Sequence, residues 1–342
     1  MIENRRQTSL SPPQIITLFF VLMILVGTVL LSLPLSSTSG TSIGFLDALF
    51  TATSAVCVNG LAVLDTGATF SLFGQIVLLI LIQIGGIGFM TLGVVIAILL
   101  GKRIGLKQRL LIQQTTQSFS AQGLIKLSLY IVFISLSFEM IGAIVLAFRW
   151  MEELGLGRAL YYGLFHSISA FNNAGFALWS DSLRSFTEDP VINVTIVTLF
   201  VFGGLGYIVI VELFQKRSWR KFTLHTKIVL VTSITLLISG FLFILTLESL
   251  NPATFGTLTL KERILAAFFQ SATPRSAGFH TIEIESMLSA SQLILIVLMF
   301  IGASSGGTGG GIKTNTFVVL VLATIYTLRG GGPIHIFHRT IP

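Results

Sequence analysis

The chain has 342 residues, 53% hydrophobic and only 10% charged, with a mean hydropathy of +0.90 and a formal charge of +7. Soluble domains carry about 25% charged residues, so this composition excludes an ordinary soluble enzyme and describes a polytopic membrane protein. The basic excess does not require nucleic acid, because lysine and arginine collect on the cytoplasmic side of membrane proteins. A single cysteine, Cys57, rules out disulfides within the chain and a zinc site made of thiolates.

In chain order, six long apolar segments appear, at residues 15–33, 72–100, 127–148, 191–213, 228–247 and 292–328. A span needs about 20 apolar residues, so most are long enough to cross. The first follows Arg5 and Arg6 and resembles a signal peptide. Its apolar run exceeds the usual h-region of about 7–15 residues and no A-x-A site follows, which makes it the first transmembrane helix. The last segment is too long for one straight span and is interrupted by glycines.

Between the first and second, third and fourth, and fifth and sixth segments lies a shorter recurring stretch. It reads FTATSAVCVNGL at 50–61, FHSISAFNNAGF at 165–176 and FFQSATPRSAGF at 268–279. Aligning Gly60, Gly175 and Gly278 also aligns Phe50, Phe165 and Phe268. A recurrence of roughly 100–115 residues in the same apolar context is an internal repeat. Each unit therefore reads as helix, short re-entrant helix with loop, helix. The units are 1–110, 111–222 and 223–330, and 331–342 is a tail or the start of a fourth.

Sidedness follows from the basic residues. With six spans, Arg5, Arg6, Lys102, Arg103, Lys107, Arg109, Lys126, Lys216, Arg217, Arg220, Lys221, Lys227, Arg329 and Arg339 all fall on one side. That side is expected to be cytoplasmic, together with the N-terminus. The opposite loops carry Asp47, Asp65, Glu152, Glu153, Asp181, Glu188, Asp189, Glu248, Glu262, Glu283 and Glu285. These acids either gather cations at the mouth of the re-entrant loops or are ordinary solvated loop residues.

A re-entrant loop leaves backbone polar groups without helical partners, which a bilayer tolerates only inside protein or along a watery path. Glycine admits backbone conformations closed to other residues, and inward carbonyls can replace an ion's water shell. The short helix aims its partially negative C-terminus at the same place. Val58-Asn59-Gly60, Asn173-Ala174-Gly175 and Ser276-Ala277-Gly278 are thus candidate selectivity-filter segments.

Residues 302–313 hold six glycines in twelve positions, enough to unwind a helix at mid-membrane depth. Within them, Gly302-Ala303-Ser304-Ser305-Gly306 satisfies G-x-S-x-G but lacks the strand–turn–helix setting of a nucleophile elbow. The same stretch fails as a phosphate loop because Ile312 separates Gly311 from Lys313. Lys313 is expected to face a cavity or carbonyls, where its charge would oppose a passing cation. Glu139 reads as a structural acceptor for loop N–H groups or as an ion site. Arg275 is expected to brace loop carbonyls, and Asn172 and Asn173 to hold their loop. Gly85-Gly86-Ile87-Gly88 and Gly203-Gly204-Leu205-Gly206 are expected to let helices approach closely. His335 and His338 offer no metal-ligand pattern.

SAVCVNGL, SAFNNAGF and TPRSAGF, together with GASSGGTGGGIKT in the sixth segment, resemble the superfamily of Trk, Ktr and HKT potassium transporters, most of all the Ktr-type membrane subunit. The resemblance covers nearly the whole chain. It implies an all-α polytopic membrane protein of M1–pore loop–M2 units, arranged pseudo-fourfold around one pore, with one filter glycine from each. Gly60, Gly175 and Gly278 match three of those glycines, and Gly60 at its position implies potassium preference over sodium. The resemblance makes Gly306, Gly307, Thr308, Gly309, Gly310, Gly311 and Lys313 part of an intramembrane gate. It further implies K⁺ as the transported ion, Na⁺ as an activator, no covalent cofactor and no enzymatic activity. A homodimer, a cytosolic ring of nucleotide-binding regulatory (RCK-type) subunits and a multi-pass place in a bacterial plasma membrane also follow from it. A fourth unit would lie about a hundred residues further on, so the sequence reads as a truncated or partial chain. Two rivals remain open: an ion-coupled secondary transporter, whose obvious ionisable site is Glu139, and a non-conducting scaffold.

Overall fold

A computed structural model describes residues 12–88, 91, 121–330, 334–336 and 339–341. Arg5, Arg6, Lys102, Arg103, Lys107, Arg109, His338, positions 92–100 of the second apolar segment and the boundary at 110/111 lie outside the described residues, as do the side chains of Lys126, His335 and Arg339.

The first unit comprises α1 (Pro12–Ser32), the short α2 (Phe45–Cys57) and α3 (Leu72–Ile87). The second begins with α4 (Ala121–Phe171), in which Gly155, at φ 72° and ψ 161°, separates the spanning part from a re-entrant part. It continues through α5 (Pro190–Leu205) and α6 (Tyr207–Gln215). The third comprises α7 (Leu224–Glu248), the short α8 (Leu260–Ala272), α9 (Ser289–Phe300) and α10 (Thr314–Leu328). In each unit the short helix lies against its outer helices: α2 on α1 and α3, the re-entrant part of α4 close to α5, and α8 on α7. Gln14–Ser32, Leu127–Phe171 and Leu224–Glu248 are long and apolar enough to cross a membrane, and the bent pair Pro190–Leu205 and Tyr207–Gln215 makes a fourth.

Local signals explain where helices begin. Ser71 caps α3 through Gly74 N–H, and Asp189 caps α5 through the N–H groups of Val191 and Ile192. Thr259 and Glu262 form a reciprocal capping box at α8. Such caps satisfy the first N–H groups of a helix, which have no intrahelical acceptor. Buried aromatic side chains, among them Trp150, Phe165, Phe171, Phe176, Phe269 and Phe279, fill the space around the loops. The outer faces of the long helices instead present Leu22, Phe133, Ile141, Phe148 and Leu293, an apolar coat suited to lipid rather than water.

The long apolar segments are broken in three places, the third where the sequence predicts it. α3 ends where Gly88 takes φ 81°, and Gly206 at φ 93° bends α5 from α6 by 99°. The sixth segment divides at 301–313 into helices of 12 and 15 residues. Only glycine enters these left-handed conformations cheaply. Among the described residues, β-structure is confined to two isolated bridges, Ser37–Phe70 and Ile301–Ile312, and a small antiparallel hairpin in the tail, β1 (Ile334–Ile336) paired with β2 (Arg339–Ile341).

Candidate pore and gate

The three short helices point their C-termini at one place. Gly60, Gly175 and Gly278 meet there with φ of 75°, 69° and 80°. A Cβ on Gly175 would stand 2.8 Å from the Cα of Gly278 and 3.0 Å from that of Gly60; one on Gly60 would be 3.2 Å from Gly278 Cα. The glycines therefore touch, and any side chain would collide with a neighbouring loop. Carbonyls share the centre: the Ala174 oxygen lies 3.2 Å from the Cβ position of Gly60, and that of Ala277 lies 2.9 Å from that of Gly175.

The same backbone recipe recurs. Four non-glycine residues have positive φ among those described, and three of them (Val58, Asn173 and Ser276) stand two places before the loop glycines. Each loop thus places left-handed residues on both sides of Asn59, Ala174 or Ala277. Asn59 N–H donates to Ser54 O at 3.0 Å, and Ala174 N–H to Ser169 O at 2.7 Å. The third loop closes one residue tighter, Ala277 N–H donating to Thr273 O at 2.9 Å. Ser169 and Thr273 hydroxyls hold the departing chain by donating to the carbonyls of Phe176 and Phe279, at 2.8 and 2.5 Å.

The glycine pairs in α3 and α5 seat the short helices at equivalent points. A Cβ on Gly85 would lie 2.2 Å from Val56 O, and one on Gly203 would lie 1.8 Å from Phe171 O. Val56 and Phe171 each stand four residues before their loop glycine. Gly86 leaves room for the side chain of Asn172, whose Oδ1 would be 1.9 Å from a Cβ there.

Glu139 lies buried behind the second loop and accepts hydrogen bonds from Gln83 Nε2 and Asn172 Nδ2, all at 3.0 Å. Asn172 also donates to Gln83 Oε1 at 3.0 Å. The carboxylate an ion-coupled cycle would use is thus tied to loop-supporting amides. Arg275 departs from expectation: its guanidinium donates to Ser233 Oγ on α7 at 3.1 Å rather than to loop carbonyls. His166 is engaged in support as well, Nδ1 bonding Tyr162 O at 2.8 Å while Nε2 accepts from Leu178 N–H at 3.2 Å.

Residues 301–313 form an unwound segment that seats on the break between α5 and α6. Ser304 N–H donates to Gly204 O at 2.8 Å, Thr308 N–H to Gly203 O at 3.1 Å, and Tyr207 N–H to Gly306 O at 3.1 Å. These bonds satisfy groups that a broken helix would otherwise leave bare in hydrocarbon. Gly306 and Gly311 adopt φ of 76° and 81°, and a Cβ on Gly307 would meet Gly204 O at 2.8 Å. Gly310 O accepts from Ala303 N–H at 3.0 Å, folding the segment back on itself. Lys313 Nζ donates to Gly309 O at 2.7 Å.

The outer acids are largely structural. Asp65 caps a one-turn helix, Asp189 pairs with Arg149, Glu283 with Arg184 at 3.4 Å, and buried Glu248 accepts from Asn251, Thr254 and Leu288 N–H. Gln83 and Ser233 went unrecognised in the sequence, because their partners lie far along the chain and leave no spacing signal.

Re-entrant short helices converging on a glycine ring, with an unwound segment seated on a broken helix, define a channel-like membrane transporter fold. The comparisons agree: the TrkH family, described as cation transport protein, matches residues 7–340. The chain belongs to that family. It is 44% identical over 331 residues to Ktr system potassium uptake protein B of Bacillus subtilis (strain 168), covering 97% of this chain and 74% of the relative. It is 47% identical over 333 residues to the protein of the same name from Vibrio alginolyticus, covering 96% and 72%. The potassium/sodium uptake protein NtpJ of Enterococcus hirae is 37% identical over 341 residues, 100% of this chain and 75% of that one. The crystal structure of the potassium transporter TrkH from Vibrio parahaemolyticus superposes with a TM-score of 0.71 at 19% identity, over 98% of this chain and 68% of that one. This last likeness concerns the fold.

Proposed function

We propose that this protein carries potassium across the cell membrane through a filter made by Val58-Asn59-Gly60, Asn173-Ala174-Gly175 and Ser276-Ala277-Gly278, with 306–311 and Lys313 as the gate beneath. The observation that carries the reading is the meeting of Gly60, Gly175 and Gly278 with neighbouring carbonyls turned towards them. Carbonyl rings can stand in for the hydration shell of a cation. The glycines touch in this state, so conduction requires the ring to widen and Lys313 to move aside. Lys313, bonded to the Gly309 carbonyl, adds a positive charge that opposes a cation until it moves.

The units in this reading are 1–110, 111–222 and 223–330. A bacterial plasma membrane, a cytoplasmic N-terminus, a homodimer, a nucleotide-binding regulatory ring on the basic face and stimulation by Na⁺ belong to the same proposal. It is supported by the names and identities of the relatives and by the clustering of basic residues.

The test is growth rescue of a potassium-uptake-deficient bacterium at low potassium, comparing wild type with Gly60→Ser and scoring sodium tolerance. Wild-type rescue with discrimination lost in the variant is the expected result. No rescue, despite membrane expression and a co-expressed regulatory subunit, sinks the potassium reading.

A further inference from the structure

Two neighbouring residues of the unwound segment meet the same position in two different loops. The Thr308 hydroxyl bonds the Asn173 amide at 2.6 Å and donates to Phe171 O, at the end of the re-entrant helix, at 3.2 Å. Turning the Asn173 amide over keeps the contact with Thr308. At Gly309, a Cβ would lie 3.1 Å from Ser276 Cβ and 2.8 Å from Ala303 Cβ, so the bare glycine accommodates Ser276. Asn173 and Ser276 are equivalent, each two places before its loop glycine and each left-handed, with φ of 58° and 76°.

A residue with a Cβ adopts that conformation at a cost, smaller for asparagine than for serine, which its surroundings offset. For these two loops part of the surroundings is the gate segment. The first loop is held differently: Val58 is buried, with its Cγ2 3.0 Å from the Cβ position of Gly85 on α3. We propose that Thr308 and Gly309 form a latch through which the seated gate segment keeps the second and third loops in their carbonyl-inward conformation. Ion discrimination then depends on where the gate sits, and Thr308 is a positioning residue for the filter. This rests on the loops being the filter.

The test uses the full chain in cells and in proteoliposomes, measuring K⁺ uptake and its inhibition by Na⁺ for wild type, Thr308→Val, Thr308→Ser, Gly309→Ala and Gly60→Ser. Thr308→Val keeps the volume but loses the hydroxyl. It is expected to lower discrimination of K⁺ over Na⁺ about fivefold, the scale of one lost hydrogen bond. Thr308→Ser, which keeps the hydroxyl, is expected to stay within about twofold of wild type. Gly309→Ala pushes on Ser276 and shifts discrimination in the same direction, which supplies the readout if Thr308→Val does not reach the membrane. Discrimination unchanged in both Thr308→Val and Gly309→Ala but lost in Gly60→Ser overturns the latch and leaves the filter standing. Discrimination unchanged in Gly60→Ser as well overturns both.

Discussion

Asn172 and Gly86 depend on each other. The amide occupies the space a Cβ at 86 would need, and there it reaches Gln83, Glu139 and the Ile168 carbonyl. Glu139→Leu removes the acceptor of the half-buried Gln83 amide, worth about 1–3 kcal/mol when left unsatisfied, while Asn172 keeps Gln83 and Ile168 as acceptors. The variant is expected to melt earlier in detergent, whereas Glu139→Gln, which keeps an acceptor oxygen, recovers most of the loss. Equal melting of both variants would show that the carboxylate's bonds do not matter. The sequence offered Glu139 as an acceptor or an ion site, the two uses of a carboxyl in an apolar run, and the structure gives it amide donors. The sequence did not reveal Gln83 as the partner, since residues 83, 139 and 172 come together only in the fold. Arg275 misled for the same reason: its neighbours in the chain are loop residues, but its neighbour in space is Ser233 on α7.

The elements depend on glycine in two ways that look alike in the sequence. Gly85 and Gly203 take close contacts within helices, while Gly88 and Gly206 end them. Both kinds sit in the same short motif, so the close packing was legible and the 99° bend was not. The density of glycine at 302–313 announced an unwound stretch, but not the α5–α6 break as its seat. Gly203→Ala is expected to cost more than the usual 1–3 kcal/mol of an overpacked core, because the Cβ meets backbone at Phe171 O rather than a movable side chain. The measurement is recovery of folded protein from membranes, and wild-type yield and melting would refute it. Gly206→Ala combines a left-handed backbone, roughly 1–2 kcal/mol for an L-residue, with a Cβ 2.6 Å from Ser305 O. It is expected to loosen the segment's seat and expose 302–313 to added protease; unchanged cleavage would argue that the seat does not depend on this contact.

On the scale of the molecule, the acids Asp65, Asp189, Glu248 and Glu283 are committed to architecture. Asp189 both caps α5 and pairs with Arg149. Asp189→Asn keeps the cap and gives up a partly buried pair, whereas Asp189→Ala also loses a cap worth about 0.5–2 kcal/mol. The alanine variant is therefore expected to melt below the asparagine variant, and the reverse order would discard the capping argument. The unit pattern was visible in the sequence at the loops because glycine, phenylalanine and small residues recur in register there. The asymmetry among units was not, since it arises from what each second helix does after its loop.

That asymmetry has a consequence for how the protein can change. The third unit donates an unwound segment and the second supplies the break that receives it, through Ser304, Thr308 and Tyr207. The second and third units are thus complementary halves of a lock, and neither is a spare copy of the other. A chimaera carrying the 302–313 sequence in the second unit would have a donor without a receiver. Drift in either half must be matched across about a hundred residues of intervening chain.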